Sequence, residues 1–216
     1  MSEFNNNDDY PSFSAQDVEI IDRSTVFQGF FRVERCQLRH KLYAGGWSST
    51  MVREIFERGH AVAVLPYNPI TDELVLIEQF RAGAMINNRS PWLLEIIAGM
   101  IDSNQSAEQT ARREALEEAG LELGELWPML SYFSSPGGST ERVQLFLGEL
   151  AKPVLPGIYG LDAEHEDIKV QVLSRAEAMQ LLAEGKIDNA ATVIALQWLS
   201  LHLTEVQSAW SNNAVD

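Results

Sequence analysis

A single cysteine, Cys36, among 216 residues leaves no partner for an internal disulfide and no material for a multi-cysteine zinc site. This fits a reducing compartment, so a cytoplasmic location is expected, and Cys36 itself reads as a small apolar side chain. Positive charge is also scarce. Sixteen Lys and Arg stand against thirty-one Asp and Glu, a formal net charge of -15, which argues against a nucleic-acid partner because affinity for that backbone comes mainly from basic side chains displacing counterions. No stretch approaches the ~20 apolar residues of a membrane span. The opening segment MSEFNNNDDYPSFSAQD is polar and acidic rather than basic and then apolar, so neither export nor membrane anchoring is expected. Internal repeats are absent too. What is present is apolar bulk: 45% hydrophobic residues, with nine Phe and five Trp, enough for a domain-sized core without staples.

Along the chain, residues 1–16 are rich in Asn, Asp and Ser and read as a mobile tail. Residues 17–58 carry short β-like runs, among them Phe27 to Leu38 and Lys41 to Tyr43, interrupted by Ala44-Gly45-Gly46. They predict a small antiparallel accessory or dimerisation domain. The main domain is expected over 59–206, with a C-terminal tail over 207–216. Its strands are predicted at His60 to Pro66, Glu73 to Phe80, Trp92 to Ala98, Val143 to Leu150 and Ile168 to Leu173. Helices are predicted after the capping boxes Ser106/Gln109 and Ser174/Glu177, and over Ala190 to Leu203.

The Trp92 to Ala98 run leads into Gly99, and a helix follows that carries Arg113, Glu114, Ala115, Glu117, Glu118, Gly120 and Leu121. At 3.6 residues per turn, Glu114 stacks with Glu118 and, three residues apart, with Glu117. Like charges at this spacing cost roughly 0.2–0.5 kcal/mol per pair, and a divalent cation would compensate for them.

The spacing from Gly99 through Gln105 to Leu121 resembles the Nudix box, with one departure: Gln105 stands where the family usually has its first glutamate. Further segments resemble the ADP-ribose pyrophosphatase branch of that superfamily. They are Met51-Val52-Arg53-Glu54, Leu76 to Arg81, Pro91 to Glu95, Ser134-Ser135-Pro136-Gly137-Gly138 and Gly185 to Ala190. The resemblance implies an α/β fold, a Nudix-type α/β/α sandwich with a mixed sheet, preceded by the small antiparallel β domain. It also implies metal-dependent hydrolysis of ADP-ribose to AMP and ribose 5-phosphate, with magnesium or alternatively manganese, in a homodimer whose N-terminal domains are exchanged.

Carried over by motif position, the resemblance makes Glu114, Glu118 and the Ala98 carbonyl metal ligands, oxygen donors of the kind magnesium prefers. Glu117 completes the cluster, Arg113 supports it through an ion pair, and Gln105 supports it from the box's first acidic position. The acidic loop Gly160 to Asp167 matches the loop that carries the branch's catalytic base, and Glu164 is the first choice, with Glu166 second. Substrate contacts are expected from Arg53, Arg81 and Met100, from Phe30 or Phe31 stacking on adenine, and from Ser135 near the pyrophosphate. Two other functions remain open: a pyrophosphatase for another nucleoside diphosphate linked to a sugar, and a nucleotide-sensing module without turnover, for which Gln105 is the only ground.

Overall fold

The computed structural model describes residues 12–86, 90–102, 104–161, 163 and 165–211. The chain divides into two compact units, residues 1–58 with 135–141, and residues 59–134 with 142–216. The expected catalytic domain therefore lends the seven residues from Ser135 to Glu141 to the other unit.

In the first unit, β1 (Val18–Gln28), β2 (Arg32–His40) and β3 (Met51–Glu57) form an antiparallel meander. The predicted run from Phe27 to Leu38 is broken at Gly29, whose N–H donates to the Phe31 carbonyl at 2.9 Å. Lys41 to Tyr43 contributes only an isolated bridge from Lys41 to Trp47. Ser14, inside the expected tail, caps a short 3-10 turn over Ala15–Asp17. Segment 135–141 is fastened to β3: the Phe56 N–H donates to the Gly138 carbonyl at 2.7 Å, the Thr140 hydroxyl to Glu57 at 2.7 Å, and Arg58 pairs with Glu141 at 3.1 Å.

The second unit is built on one mixed sheet. Its strands are β4 (Ala61–Asn68), β5 (Glu73–Phe80), β6 (Trp92–Glu95), β7 (Ile97–Met100), β8 (Leu126–Phe133), β9 (Arg142–Glu149), β10 (Gly157–Tyr159) and β11 (Ile168–Ser174). The path runs β10-β11-β5-β4-β9-β8, with β6 paired to β5 and β7 to β4. Only β4 and β9 run parallel among the named pairs. The single strand predicted from Trp92 to Ala98 is thus two strands, which change partner at Ile96.

Alternation along β4 divides the core. Val62 and Val64 join Val75, Ile77 and Phe146 against α1 (Ala107–Ala119), through Ala111, Ala115 and Ala119. Ala63, Leu65 and Tyr67 face the opposite way, toward α2 (Arg175–Ala183) and α3 (Ala190–Ser211). Helices on both faces of a mixed sheet make the α/β/α sandwich. Complete burial of each large side chain stabilises it by roughly 1.5–3 kcal/mol. α3 runs past the expected boundary at 206, because Val206 and Trp210, 0% and 1% exposed, belong to the core; residues 207–211 are helix rather than tail.

The site helix α1 starts and stops where local chemistry dictates. Ser106 and Gln109 form a reciprocal capping box. Gly120, at φ 64°, donates its N–H to Leu116, and the Leu121 N–H donates to Ala115, which satisfies the last carbonyls.

Candidate active site

Strand β7 brings the backbone of Ala98 and Gly99 onto the acidic face of α1. The Ala98 N–H donates to Glu118 Oε2 at 3.1 Å. At Gly99 a Cβ would overlap the Glu114 carboxylate, so the glycine is required by close approach rather than by backbone freedom.

Glu118 is 3% exposed, and the Glu114 side chain is 13% exposed. Burial, with further contributions from nearby carboxylates, pushes Glu114 up to about 7 and Glu118 up to about 8. Arg113 offsets part of this, donating to Glu114 Oε1 at 2.9 Å and to Glu117 Oε2 at 2.6 Å. Glu117 is therefore engaged by Arg113, whereas among the described residues Glu118 has no direct cationic partner and lies within the electrostatic influence of Arg81. Burying an ionised carboxylate without a partner costs several kcal/mol. Two desolvated carboxylates at one strand end, with only Glu114 paired to Arg113, which also serves Glu117, fit a hard divalent cation. Among the described residues no three His, Cys, Asp or Glu side chains are already gathered as a ligand set; the fit rests on the pair and on the adjoining backbone.

Gln105 points at Arg113. Its Oε1 accepts from Arg113 Nε at 3.3 Å and from the Thr110 hydroxyl at 3.2 Å.

A pocket of about 340 Å³ is lined by Gln79, Phe80, Arg81, Trp92, His165, Glu166 and Asp167. Arg81 is held there by Glu95, with Nε to Oε2 at 2.8 Å, and Gln79 reaches the same oxygen at 3.4 Å. Phe80 and Trp92, cross-strand partners, meet edge to face with ring centroids 5.4 Å apart. Glu166 raises the proton affinity of both Glu114 and Glu118, which brings the acidic loop and the box helix into one electrostatic field. The loop closes on itself: the Leu161 N–H donates to Glu166 Oε2 at 3.1 Å, and His165 takes the uncommon φ of 58°. Glu164, the first choice for the base, lies outside the described residues.

The expected site residues fall into two groups. Ala98, Glu114, Glu118, Glu117, Arg113 and Gln105 are assembled around β7 and α1, and Arg81 and Glu166 share the pocket. Met100, 37% exposed, ends β7. Phe30, Arg53 and Ser135 belong to the first unit. There Phe30 is 87% exposed and packs edge-on against Phe31, Arg53 is exposed and donates to the Val52 carbonyl at 2.8 Å, and the Ser135 carbonyl accepts from Gly138 and Ser139. Sequence reasoning assigns no individual role to Gln79, Phe80, Trp92, Glu95 or Asp167, although the first four lie in the family-like segments Leu76 to Arg81 and Pro91 to Glu95 and Asp167 ends the acidic loop. The relation of Trp92 and Glu95 to Arg81 comes from the β5–β6 register.

A mixed-sheet α/β/α sandwich, with a buried carboxylate pair on the helix that follows a glycine-bearing strand, is the architecture expected of a Nudix-type hydrolase. The chain belongs to the Nudix family: residues 57–197 match its NUDIX domain model. It is 50% identical over 200 residues to the ADP-ribose pyrophosphatase of Escherichia coli strain K12, covering 93% of this chain and 96% of that one. With the ADP-ribose pyrophosphatase of Haemophilus influenzae it shares 47% over 204 residues, 93% and 94% of the two chains. A GDP-mannose pyrophosphatase of Escherichia coli O1:K1 / APEC is 36% identical over 155 residues, 71% of this chain and 80% of that one. Among solved structures, an ADP compounds hydrolase superposes with a TM-score of 0.69 at 25% identity, covering 90% and 98% of the two chains.

Proposed function

We propose that this protein hydrolyses the pyrophosphate bond of ADP-ribose to AMP and ribose 5-phosphate, using a divalent metal, magnesium or alternatively manganese. The observation that carries this reading is the 50% identity, over nearly the whole of both chains, to an ADP-ribose pyrophosphatase. The buried Glu114–Glu118 pair supports the metal requirement. Glu114, Glu118 and the Ala98 carbonyl would hold the metal, which when bound neutralises phosphate charge and favours an attacking water.

The chain's own groups account for the rest. A carboxylate of the 160–167 loop, Glu164 or else Glu166, accepts a proton from the attacking water as its oxygen bonds to phosphorus. The bridging P–O bond breaks, and the departing phosphate carries away the electron pair. Arg81, its guanidinium fixed by Glu95, offers donors to the phosphate oxygens. Arg113 holds Glu114 and Glu117 in place. Phe30, Arg53, Met100 and Ser135 complete the substrate contacts in this reading.

A domain-exchanged homodimer forms part of the same proposal. Support comes from Val18, Ile20, Ile21, Val26 and Phe27, all exposed on β1 within the first unit; light scattering at micromolar concentration would give twice the chain mass. A cytoplasmic location is proposed on the single cysteine, and no described helix is long and apolar enough to cross a membrane.

The test is AMP release from ADP-ribose with magnesium. Wild-type release that disappears in Glu118→Gln and with chelator is the expected outcome; wild type that binds ADP-ribose without releasing AMP would refute turnover. The GDP-mannose pyrophosphatase relative gives a second reading, hydrolysis of another sugar-linked nucleoside diphosphate. A substrate panel separates the two by kcat/KM.

A further inference from the structure

The segment Gly185 to Ala190 was singled out in the sequence, yet none of its residues lines the site. It leads into α3 and supplies that helix's cap. Asn189 Oδ1 accepts the Thr192 N–H at 3.1 Å, while Asn189 Nδ2 donates to the Leu94 carbonyl at 2.8 Å. Only one orientation of the amide satisfies both, since turning it over would oppose oxygen to carbonyl and nitrogen to N–H. The Thr192 hydroxyl oxygen, in a residue 0% exposed, accepts the Ile96 N–H at 2.9 Å.

Leu94 and Ile96 flank Glu95 at the place where the chain changes partner. Glu95 pairs with Ile77 of β5, and Ile97 pairs with Val64 of β4. Ile96 lies between the two ladders and is 1% exposed, so its N–H would be orphaned in the core without Thr192. The switch is also the hinge between two halves of the site. On one side Glu95 holds Arg81; three residues further on, Ala98 meets Glu118.

We propose that Asn189 and Thr192 are positioning residues of the hydrolytic site, clasping both sides of Glu95 from the start of α3 and thereby setting Arg81 and the Ala98–Glu118 contact. This rests on the hydrolase reading above. A clasp that acts on both halves makes substrate affinity and metal affinity depend on residues that touch neither. A merely structural cap would change stability and leave both affinities alone.

The variants separate these roles. Asn189→Asp keeps the oxygen that caps Thr192 and loses the donor to Leu94. Thr192→Val keeps the volume and loses the acceptor for Ile96, whereas Thr192→Ser keeps it. The full-length variants are compared by Mn²⁺ titration followed by electron paramagnetic resonance without substrate, by KM and kcat for ADP-ribose at saturating Mg²⁺, and by melting temperature.

Asn189→Asp and Thr192→Val are expected to weaken Mn²⁺ binding about tenfold, the scale on which outer-shell partners act. KM should rise by about the same factor with kcat changed less than about twofold, the signature of lost ground-state binding. Thr192→Ser should restore wild-type values. Unchanged Mn²⁺ affinity and KM in Asn189→Asp and Thr192→Val, whatever happens to melting temperature, would overturn the proposal, as would a Thr192→Ser variant as impaired as Thr192→Val. If wild type binds Mn²⁺ but does not turn over ADP-ribose, the functional reading fails, and the Mn²⁺ titrations alone then decide the clasp.

Discussion

Gln105 lies against Arg113, not against the Glu118 carboxylate. An amide oxygen there still accepts the guanidinium's hydrogen bond and lacks only the charge, and a partly exposed ion pair at such a place contributes at most about 1 kcal/mol. Gln105→Glu should therefore leave kcat/KM within about threefold of wild type and raise stability by less than about 1 kcal/mol; initial rates and thermal unfolding measure both. A tenfold gain, about 1.4 kcal/mol of barrier, would instead put that charge in the chemistry. Gly99 is the sterner position. In Gly99→Ala the new methyl overlaps the Glu114 carboxylate and must push it aside. A displacement of about 1 Å at a reacting centre costs on the order of a hundredfold in rate, so ADP-ribose hydrolysis should fall by that order while far-UV circular dichroism stays native. Wild-type kinetics in Gly99→Ala would show that Glu114 need not sit where it does. The box spacing announced both the glycine and the glutamates. The resemblance also implied an ion pair from Arg113, but the spacing gave no sign that this pair would engage Glu114 and Glu117 while, among the described residues, no cation directly pairs with Glu118.

Among the elements, α1 was legible because its signals are local. Ser106 and Gln109 cap it, Gly120 ends it, and every residue involved lies within one turn of the boundary. Gly120→Ala tests the stop. The left-handed φ alone costs a side chain roughly 1–2 kcal/mol, and the added Cβ would also lie 2.7 Å from Tyr159 Cε1. Urea unfolding should therefore show a loss of more than about 1 kcal/mol, and a loss near zero would mean that the turn relaxes freely. The Trp92–Met100 stretch was less legible. Its apolar run reads as one strand, since nothing between Glu95 and Ile97 resembles a turn. The break at Ile96 comes from competition between β5 and β4 for partners and from Thr192, 96 positions away in the chain. β8 went unread because Pro128 interrupts it and a register shift lies between Pro128 and Leu130, which blurs the period-two pattern.

A net charge of -15 gives no hint that the most consequential carboxylates are those the fold desolvates. In metal-free protein Glu114 and Glu118 bind protons more tightly folded, at about 7 and about 8, than at their ordinary value of 4.5. Stability from the protonated forms is thus complete below the unfolded value and is lost as pH rises through the folded ones. The melting temperature in EDTA should fall between about pH 5 and pH 8.5. Magnesium should restore it most at the alkaline end, where it no longer competes with protons. A midpoint that stays flat or rises in EDTA would refute the burial of this pair, and Glu118→Gln should remove much of the slope. Spacing along a single chain was enough to prescribe a capped helix with an acidic face behind a glycine strand, because helical periodicity and capping act over three or four residues. It could not prescribe that Arg81 would be held by Glu95, that Glu166 would share the field of Glu118, or that Asn189 and Thr192 would clasp the strand switch. Those contacts join residues 14, 48 and about 95 positions apart, and they exist only because two strand ladders and the packing of α3 bring distant backbone together.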